Sequence, residues 1–182
     1  MHGTEFAGRL NDEAGGTFNG RAARDVHMKL HDVYLSEELY TDFLTHMPET
    51  CVELVLQHRG TVLLAKREIE PAKGEWFWPG SRLYKGEPTE EAAHRVAREE
   101  LGIEIELESL LGVYSHFWDR SAQSPEVSRH TVNVVYRARP VEDDPRISLD
   151  DQHGEFRWLD DIEPELHEYV RTYIEDGNLL EP

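Results

Sequence analysis

Apolar positions along the chain change their spacing from segment to segment, and the spacing predicts the elements. Leu39, Tyr40, Phe43, Leu44 and Met47 share one face at helical spacing, with Ser36 ahead of them and Pro48 behind. A stripe bounded by a capping residue and a breaker predicts a short amphipathic helix. The runs VELVLQ and TVLLAK follow, parted only by His58, Arg59 and Gly60. That break predicts a β-hairpin with Gly60 in the turn. Pro88 suits the first turn of a helix and Gly102 its end, and the intervening residues are good helix formers, so a helix is expected from about Pro88 to Leu101. Strands are expected over Leu110 to Phe117, Thr131 to Arg137 and Glu155 to Leu159. After Pro164, Leu166, Tyr169, Val170, Tyr173 and Ile174 return to helical spacing. The order helix, hairpin, helix, strands, helix predicts an α/β (α+β mixed) fold, a mixed β-sheet covered by helices on two sides.

Residues 1–30 lack sustained periodicity and place Gly15, Gly16 and Gly20 among polar residues, so a flexible N-terminal extension is expected there. Residues 31–182 are expected to form one domain, which the length of 182 residues also favours. No repeat or low-complexity tract is present.

Composition narrows the classes of function. Apolar residues make up 38% and charged residues 31%, and no apolar run approaches bilayer-spanning length, so no membrane partner is expected. The start, MHGTEFAGRL, does not read as a secretory signal, and the single Cys51 has no internal partner; a cytoplasmic location is the default expectation. Cys51 precedes an apolar run and reads as a small core residue. The formal charge of −18 argues against nucleic acid as partner, because binding its backbone needs a basic face. An anionic small molecule would need locally placed cations. Only four of the nineteen basic residues are lysines, and this acid-rich balance suits a surface in high salt without defining chemistry.

The candidate chemistry lies in residues 79–103, PGSRLYKGEPTEEAAHRVAREELGI. On a helix, Ala92, Ala93, Val96 and Ala97 form a buried face, and Glu91, Arg95 and Glu99 form an adjoining row spaced for ion pairs. Glu100 projects within the apolar face. A carboxylate there must be neutralised, hydrogen-bonded or bound to a cation, since an unpaired buried charge costs several kcal/mol, on the order of the residual Born penalty. Two readings stand on the residues alone: a metal ligand, or a side chain that snorkels to solvent or pairs with an arginine.

The stretch resembles the Nudix box, G-x5-E-x7-R-E-U-x-E-E-x-G-U, with Glu87, Arg95, Glu99, Glu100, Gly102 and Ile103 in register. Ser81 stands where the box has its first glycine, and Val96 where it has the glutamate after the arginine. The chain is most similar to the GDP-mannose mannosyl hydrolase branch, whose box also lacks that glutamate. The likeness covers roughly Leu35 to Trp158 and includes RGTVLLAKR, PAKGEWFWPG, GVYSHFWD and DDQHGEFRWL. It implies a Nudix-type α/β/α sandwich and a homodimer, with the helix after Ser36 as a candidate interface.

Carried over by position, the resemblance implies a magnesium ion, with Mn2+ as a substitute, held by Glu100, the carbonyl of Gly80 and Gln152. Such hard oxygen donors suit magnesium. Glu99 is an extra carboxylate that either holds a second ion or pairs with Arg95. Arg67 and Arg82 fill substrate-contacting positions, where a planar fork bonds two phosphate oxygens. Arg95 either joins them or orients the box glutamates. Arg59 and Arg98 read as solvated surface charges. His153 is the implied general base, with an ordinary pKa suited to proton abstraction near neutrality; read from the residues alone it is a histidine in a polar loop ahead of a strand. His116 either lines the same pocket or is a structural strand residue, and His130 has a weaker claim. Glu53 is the candidate for recognising base or sugar, and Thr131 replaces a tyrosine of the branch, which opens the base or sugar preference.

The expected reaction is water attack at the anomeric carbon of a nucleotide sugar, releasing sugar and nucleoside diphosphate, with Arg82 and Arg67 stabilising the departing charge. One rival is an ordinary Nudix pyrophosphohydrolase attacking phosphorus, favoured by the Glu99 and Glu100 pair and disfavoured by Val96. Another is a silent nucleotide-sugar-binding module, since one fold hosts many functions.

Overall fold

The computed structural model describes residues 36–121 and 126–180; the extension expected over residues 1–30 lies outside them. Helix α1 (Glu37–His46) starts where Ser36 accepts a hydrogen bond from the Leu39 N–H, and ends at Met47 in extended conformation ahead of Pro48. Its apolar stripe is only partly used. Tyr40 and Leu44 are buried, while Leu39 and Met47 are exposed.

Strands β1 (Glu49–His58) and β2 (Thr61–Arg67) form the expected hairpin, with Arg59 at φ 50° and Gly60 at φ 80°. Two successive left-handed residues make the turn whose twist matches the flanking strands. The strands pair only at Gln57 with Val62 and His58 with Thr61 before diverging. That divergence builds the site. Beyond it the free edge of β1 is taken by β4 (Gly80–Arg82), whereas β2 pairs with β3 (Trp76–Phe77) and β7 (His153–Leu159). The other edge of β1 runs parallel to β6 (Arg129–Pro140), which pairs antiparallel with β5 (Ile105–Trp118). The sheet is therefore mixed, in the order β3-β2-β1-β6-β5, with β4 and β7 as branches.

Helix α2 (Thr89–Leu101) begins after Pro88 and stops at Gly102, whose φ of 67° favours glycine. Its Ala92, Ala93, Val96, Ala97 and Leu101 pack on Val52, Leu54, Leu56 and Leu63. Helix α3 (Glu168–Gly177) covers the opposite face, with Val170, Tyr173 and Ile174 against Val55, Val62, Leu64 and Val135. Along β1 the side chains alternate between the two helices, as a strand requires. This is the expected α/β/α sandwich. On the α3 side, however, β1 stops being apolar toward its start: Glu53, Cys51 and Glu49 open into a cleft. No helix of the described residues is long and apolar enough to cross a membrane.

Candidate active site

The cleft has a volume of about 430 Å³, within the range of small-ligand pockets. The last turn of α2 contributes Glu99 and Glu100, β4 contributes Gly80 and Arg82, and the end of β2 contributes Arg67. His153 comes from the start of β7 and Gln152 from the turn just before it, Glu53 from β1 and His116 from β5. All the candidate residues except Arg95 and the weaker candidate His130 line this one cleft.

Glu100 is 5% exposed and accepts a 2.9 Å hydrogen bond from the Gly80 N–H. Burial pushes its pKa up to about 8; the Gly80 N–H opposes the rise and nearby Asp150 adds to it. The bonds Leu54 N–H to Pro79 O and Leu83 N–H to Thr50 O mark the hydrogen-bonded pairs of the β1–β4 ladder. Gly80 faces Glu53 between them, so its N–H and carbonyl both turn away from β1, as alternate residues of an antiparallel pair do. A side chain is excluded there, because a Cβ would stand 2.5 Å from Glu53 Cγ.

His153 is buried, at 6% exposure, and is the first residue of β7, paired with Arg67. The polar loop expected up to Gly154 thus ends two residues earlier, at Gln152. Its Nδ1 lies 2.7 Å from Asp150 Oδ1. An ionised carboxylate can only accept, so Nδ1 carries the proton and Nε2 keeps its lone pair. Burial lowers the ring's pKa; Asp150 opposes this, and the charge of Arg67 adds to it. The geometry suits a neutral, oriented imidazole. Gln152 donates from its backbone (3.2 Å) and side-chain amide (3.4 Å) to the same Asp150.

Arg95 lies behind the wall of the cleft. Its Nε and Nη2 donate to the two oxygens of Glu87 at 2.7 and 2.9 Å, Nη1 to Glu99 at 3.0 Å, and Nη2 also to the Arg82 carbonyl at 2.9 Å. Its guanidinium also sits 4.0 Å over the Tyr84 ring. The structure therefore gives Arg95 the orienting arrangement and leaves it out of the lining of the cleft. Glu99 touches both systems, lining the cleft while paired with Arg95.

At the inner wall, Tyr173 donates to Glu53 (2.7 Å) and contacts His116 Nε2 (3.0 Å), and the His116 ring stacks on Tyr169 at 3.9 Å. Burial raises the Glu53 pKa to about 7, with the Tyr173 hydrogen bond opposing, and lowers that of His116 to about 3. His116 is thus a neutral hydrogen-bonding ring in the pocket.

A family model described as the NUDIX domain matches residues 46–173. The chain belongs to the Nudix family. It is 36% identical over 141 residues to the low-salt glycan biosynthesis protein Agl8 of Haloferax volcanii, covering 78% of this chain and 89% of that one. It is 30% identical over 115 residues to the ADP-ribose pyrophosphatase of Methanocaldococcus jannaschii, covering 63% of this chain and 64% of the relative. Among solved structures, the MutT NUDIX hydrolase of Burkholderia pseudomallei superimposes with a TM-score of 0.57 at 29% identity, covering 72% of this chain and 98% of that one. These likenesses support a Nudix hydrolase.

The oxygen-bearing residues of the cleft fit a hard divalent cation by their chemistry. Glu100, Glu99, Gln152, the Gly80 carbonyl and Asp150 all bring oxygen to one cleft, and Glu100 is a buried carboxylate with a single N–H to offset its desolvation. Among the described residues, no group of three acidic, histidine or cysteine side chains converges as a ready cage. Magnesium usually keeps water and substrate oxygens in its shell. Val96 is fully buried in the apolar cluster, so the box supplies no carboxylate at that position.

Sequence reasoning missed Asp150, Arg129, Glu49 and Tyr173. Asp150 carried a readable signal, an acid three residues before a histidine in DDQH. The others did not, because Arg129 meets Glu49 across 80 residues of chain and Tyr173 meets Glu53 across 120.

Proposed function

We propose that this Nudix hydrolase is a divalent-metal-dependent nucleotide-sugar hydrolase that releases free sugar and nucleoside diphosphate by water attack at the anomeric carbon, with a substrate such as GDP-mannose. The observation that carries the reading is the His153–Asp150 pair, 2.7 Å apart, opening on the same cleft as Glu100. Asp150 fixes the tautomer that leaves Nε2 able to take a proton from water. Arg82 and Arg67 stabilise charge on the departing diphosphate. A magnesium or manganese ion held by Glu100, Gln152 and the Gly80 carbonyl would neutralise the diphosphate and improve it as a leaving group. In this reading His116 and Glu53, at the inner wall, contact the sugar or base.

Val96 supports carbon attack, because it leaves the box short of one carboxylate. The glycan-biosynthesis role in the name of the Haloferax relative accords with a sugar nucleotide. A second reading, attack at phosphorus, is favoured by the presence of Glu99 beside Glu100 in the cleft and by the ADP-ribose pyrophosphatase relative. Product analysis by ³¹P NMR separates the two. Incubation with a panel of nucleotide sugars and magnesium should yield nucleoside diphosphate alone as the phosphorus-bearing product. Nucleoside monophosphate with sugar phosphate would establish the second reading, and no turnover of any nucleotide derivative would favour a silent binding module.

A further inference from the structure

Arg129 is a half-buried cation in the cleft that the reaction described above leaves without a task. It opens β6, and its side chain is 19% exposed. Its Nε and Nη2 both donate to one oxygen of Glu49, at 2.9 and 2.5 Å, and Nη2 lies 3.8 Å from Cys51 Sγ. Glu49 is itself buried and takes a 3.4 Å hydrogen bond from Tyr40 of α1. One edge of the guanidinium is therefore locked. The other edge has no partner at Nη1 among the described residues, and Arg129 lines the cleft together with Arg67 and Arg82.

A guanidinium has five donors in a fixed fork, so an arginine held along its Nε edge still presents Nη1 and Nη2 for bidentate bonding to an oxyanion. Arg67 uses its Nε on the Pro71 carbonyl, at 2.6 Å, and forms no ion pair with a carboxylate at bonding distance among the described residues. Its pKa is lowered first by burial and next by the charge of Arg129, which marks the two guanidiniums as close enough to repel. Arg67, with no carboxylate at bonding distance, and Arg129, with one edge of its fork open, face one half-buried cleft in a chain of net charge −18. Such a pair gains most from a ligand carrying more than one negative charge.

We propose that Arg129, braced by Glu49 against the floor of the cleft, is a third substrate-binding arginine that grips the diphosphate group together with Arg67 and Arg82. This rests on the reading of the cleft as a nucleotide-sugar site, but only its diphosphate-binding part. Glu49 is a positioning residue: its carboxylate fixes which edge of Arg129 faces the ligand. A lysine at position 129 would keep the charge and lose the fork, so it could serve Glu49 or the phosphate but not both.

The test measures magnesium pyrophosphate binding by isothermal titration calorimetry for the full chain and for Arg129→Met and Arg129→Lys, with thermal midpoints recorded alongside. The wild type should bind, Arg129→Met should bind about 10- to 100-fold more weakly, as expected for charged hydrogen bonds lost, and Arg129→Lys should fall between. Glu49→Gln, which keeps the guanidinium but loosens it, should weaken binding less than Arg129→Met. Should Arg129→Met fail to fold, the Lys and Gln variants carry the same comparison. Unchanged pyrophosphate affinity in folded variants whose thermal midpoints drop would make Arg129 a structural tie to α1 and overturn the proposal, as would a wild type that does not bind pyrophosphate. If pyrophosphate binding responds as stated but no nucleotide sugar is hydrolysed, the substrate reading falls and the Arg129 assignment stands.

Discussion

Helix α2 carries two buried charges that are handled in opposite ways. Arg95 is satisfied entirely by protein: a bidentate pair with Glu87, a bond to Glu99, the Arg82 carbonyl and the Tyr84 ring. Glu100, on the same helix, has one N–H from Gly80 and an elevated pKa near 8. A buried charge with all its partners in the chain holds structure together, whereas one left short of partners is held ready for something the chain does not contain. The difference separates the knot behind the cleft from the site inside it.

The comparison breaks first on activity. Glu100→Gln is nearly isosteric and retains an acceptor for Gly80, so it should fold yet lose roughly 10² or more of kcat, with divalent-ion dependence weakened; full activity in this variant would remove Glu100 from the metal site. Arg95→Met should do the reverse. Its loss strands Glu87, whose side chain is 4% exposed, and should destabilise the protein by about 3–5 kcal/mol, lowering the thermal midpoint by roughly 10 °C, read by calorimetry. An Arg95→Met protein of wild-type stability would contradict the knot.

A pH dependence sharpens the contrast. A carboxyl whose pKa rises from 4.5 to about 8 on folding binds its proton more tightly when folded, so its contribution to metal-free stability declines as pH rises through that window. Glu53, raised to about 7, acts in the same direction, while the lowered pKa values of His116 and His153 oppose stability below their ordinary value near 6.5. The difference between Glu100→Gln and wild type isolates one group. In chelator, the variant's advantage in thermal midpoint should grow from mildly acid pH to about pH 8 and shrink on adding magnesium; a difference that does not vary with pH would contradict the buried, uncompensated carboxyl. The smallest effect is expected from removing residues 1–28, which hold none of the candidate site residues and should leave kcat largely intact. A large loss in a folded, truncated protein would show that this segment completes the site.

Much of this was legible in local pattern. Pro88 and Gly102 bracket α2, Gly60 marks the hairpin, and Glu100 within an apolar face announces a conflict that the fold preserves. Strands β3 and β4 have two and three residues, too short for alternation to register, although β4 carries Gly80 and Arg82. The first part of β5, from Ile105, lay hidden because bulges near Ser109 and Leu110 break its period, and its outward residues are glutamates. The pairs Arg129–Glu49 and Tyr173–Glu53 exist only because β6 runs parallel to β1 and α3 folds back over the sheet. No local signal encodes such contacts, and for that reason these two pairs were unreadable while the box was plain.

In the proposed reaction His153, oriented by Asp150, activates water against carbon. Hydrolysis of a nucleotide sugar in oxygen-18 water tests it directly, followed by mass spectrometry of both products. The label should enter the free sugar, with none in the nucleotide, and His153→Ala should lower kcat by roughly 10²–10⁴ with KM less affected, the range for a lost general base. Label in a phosphate, with nucleoside monophosphate among the products, would contradict the account.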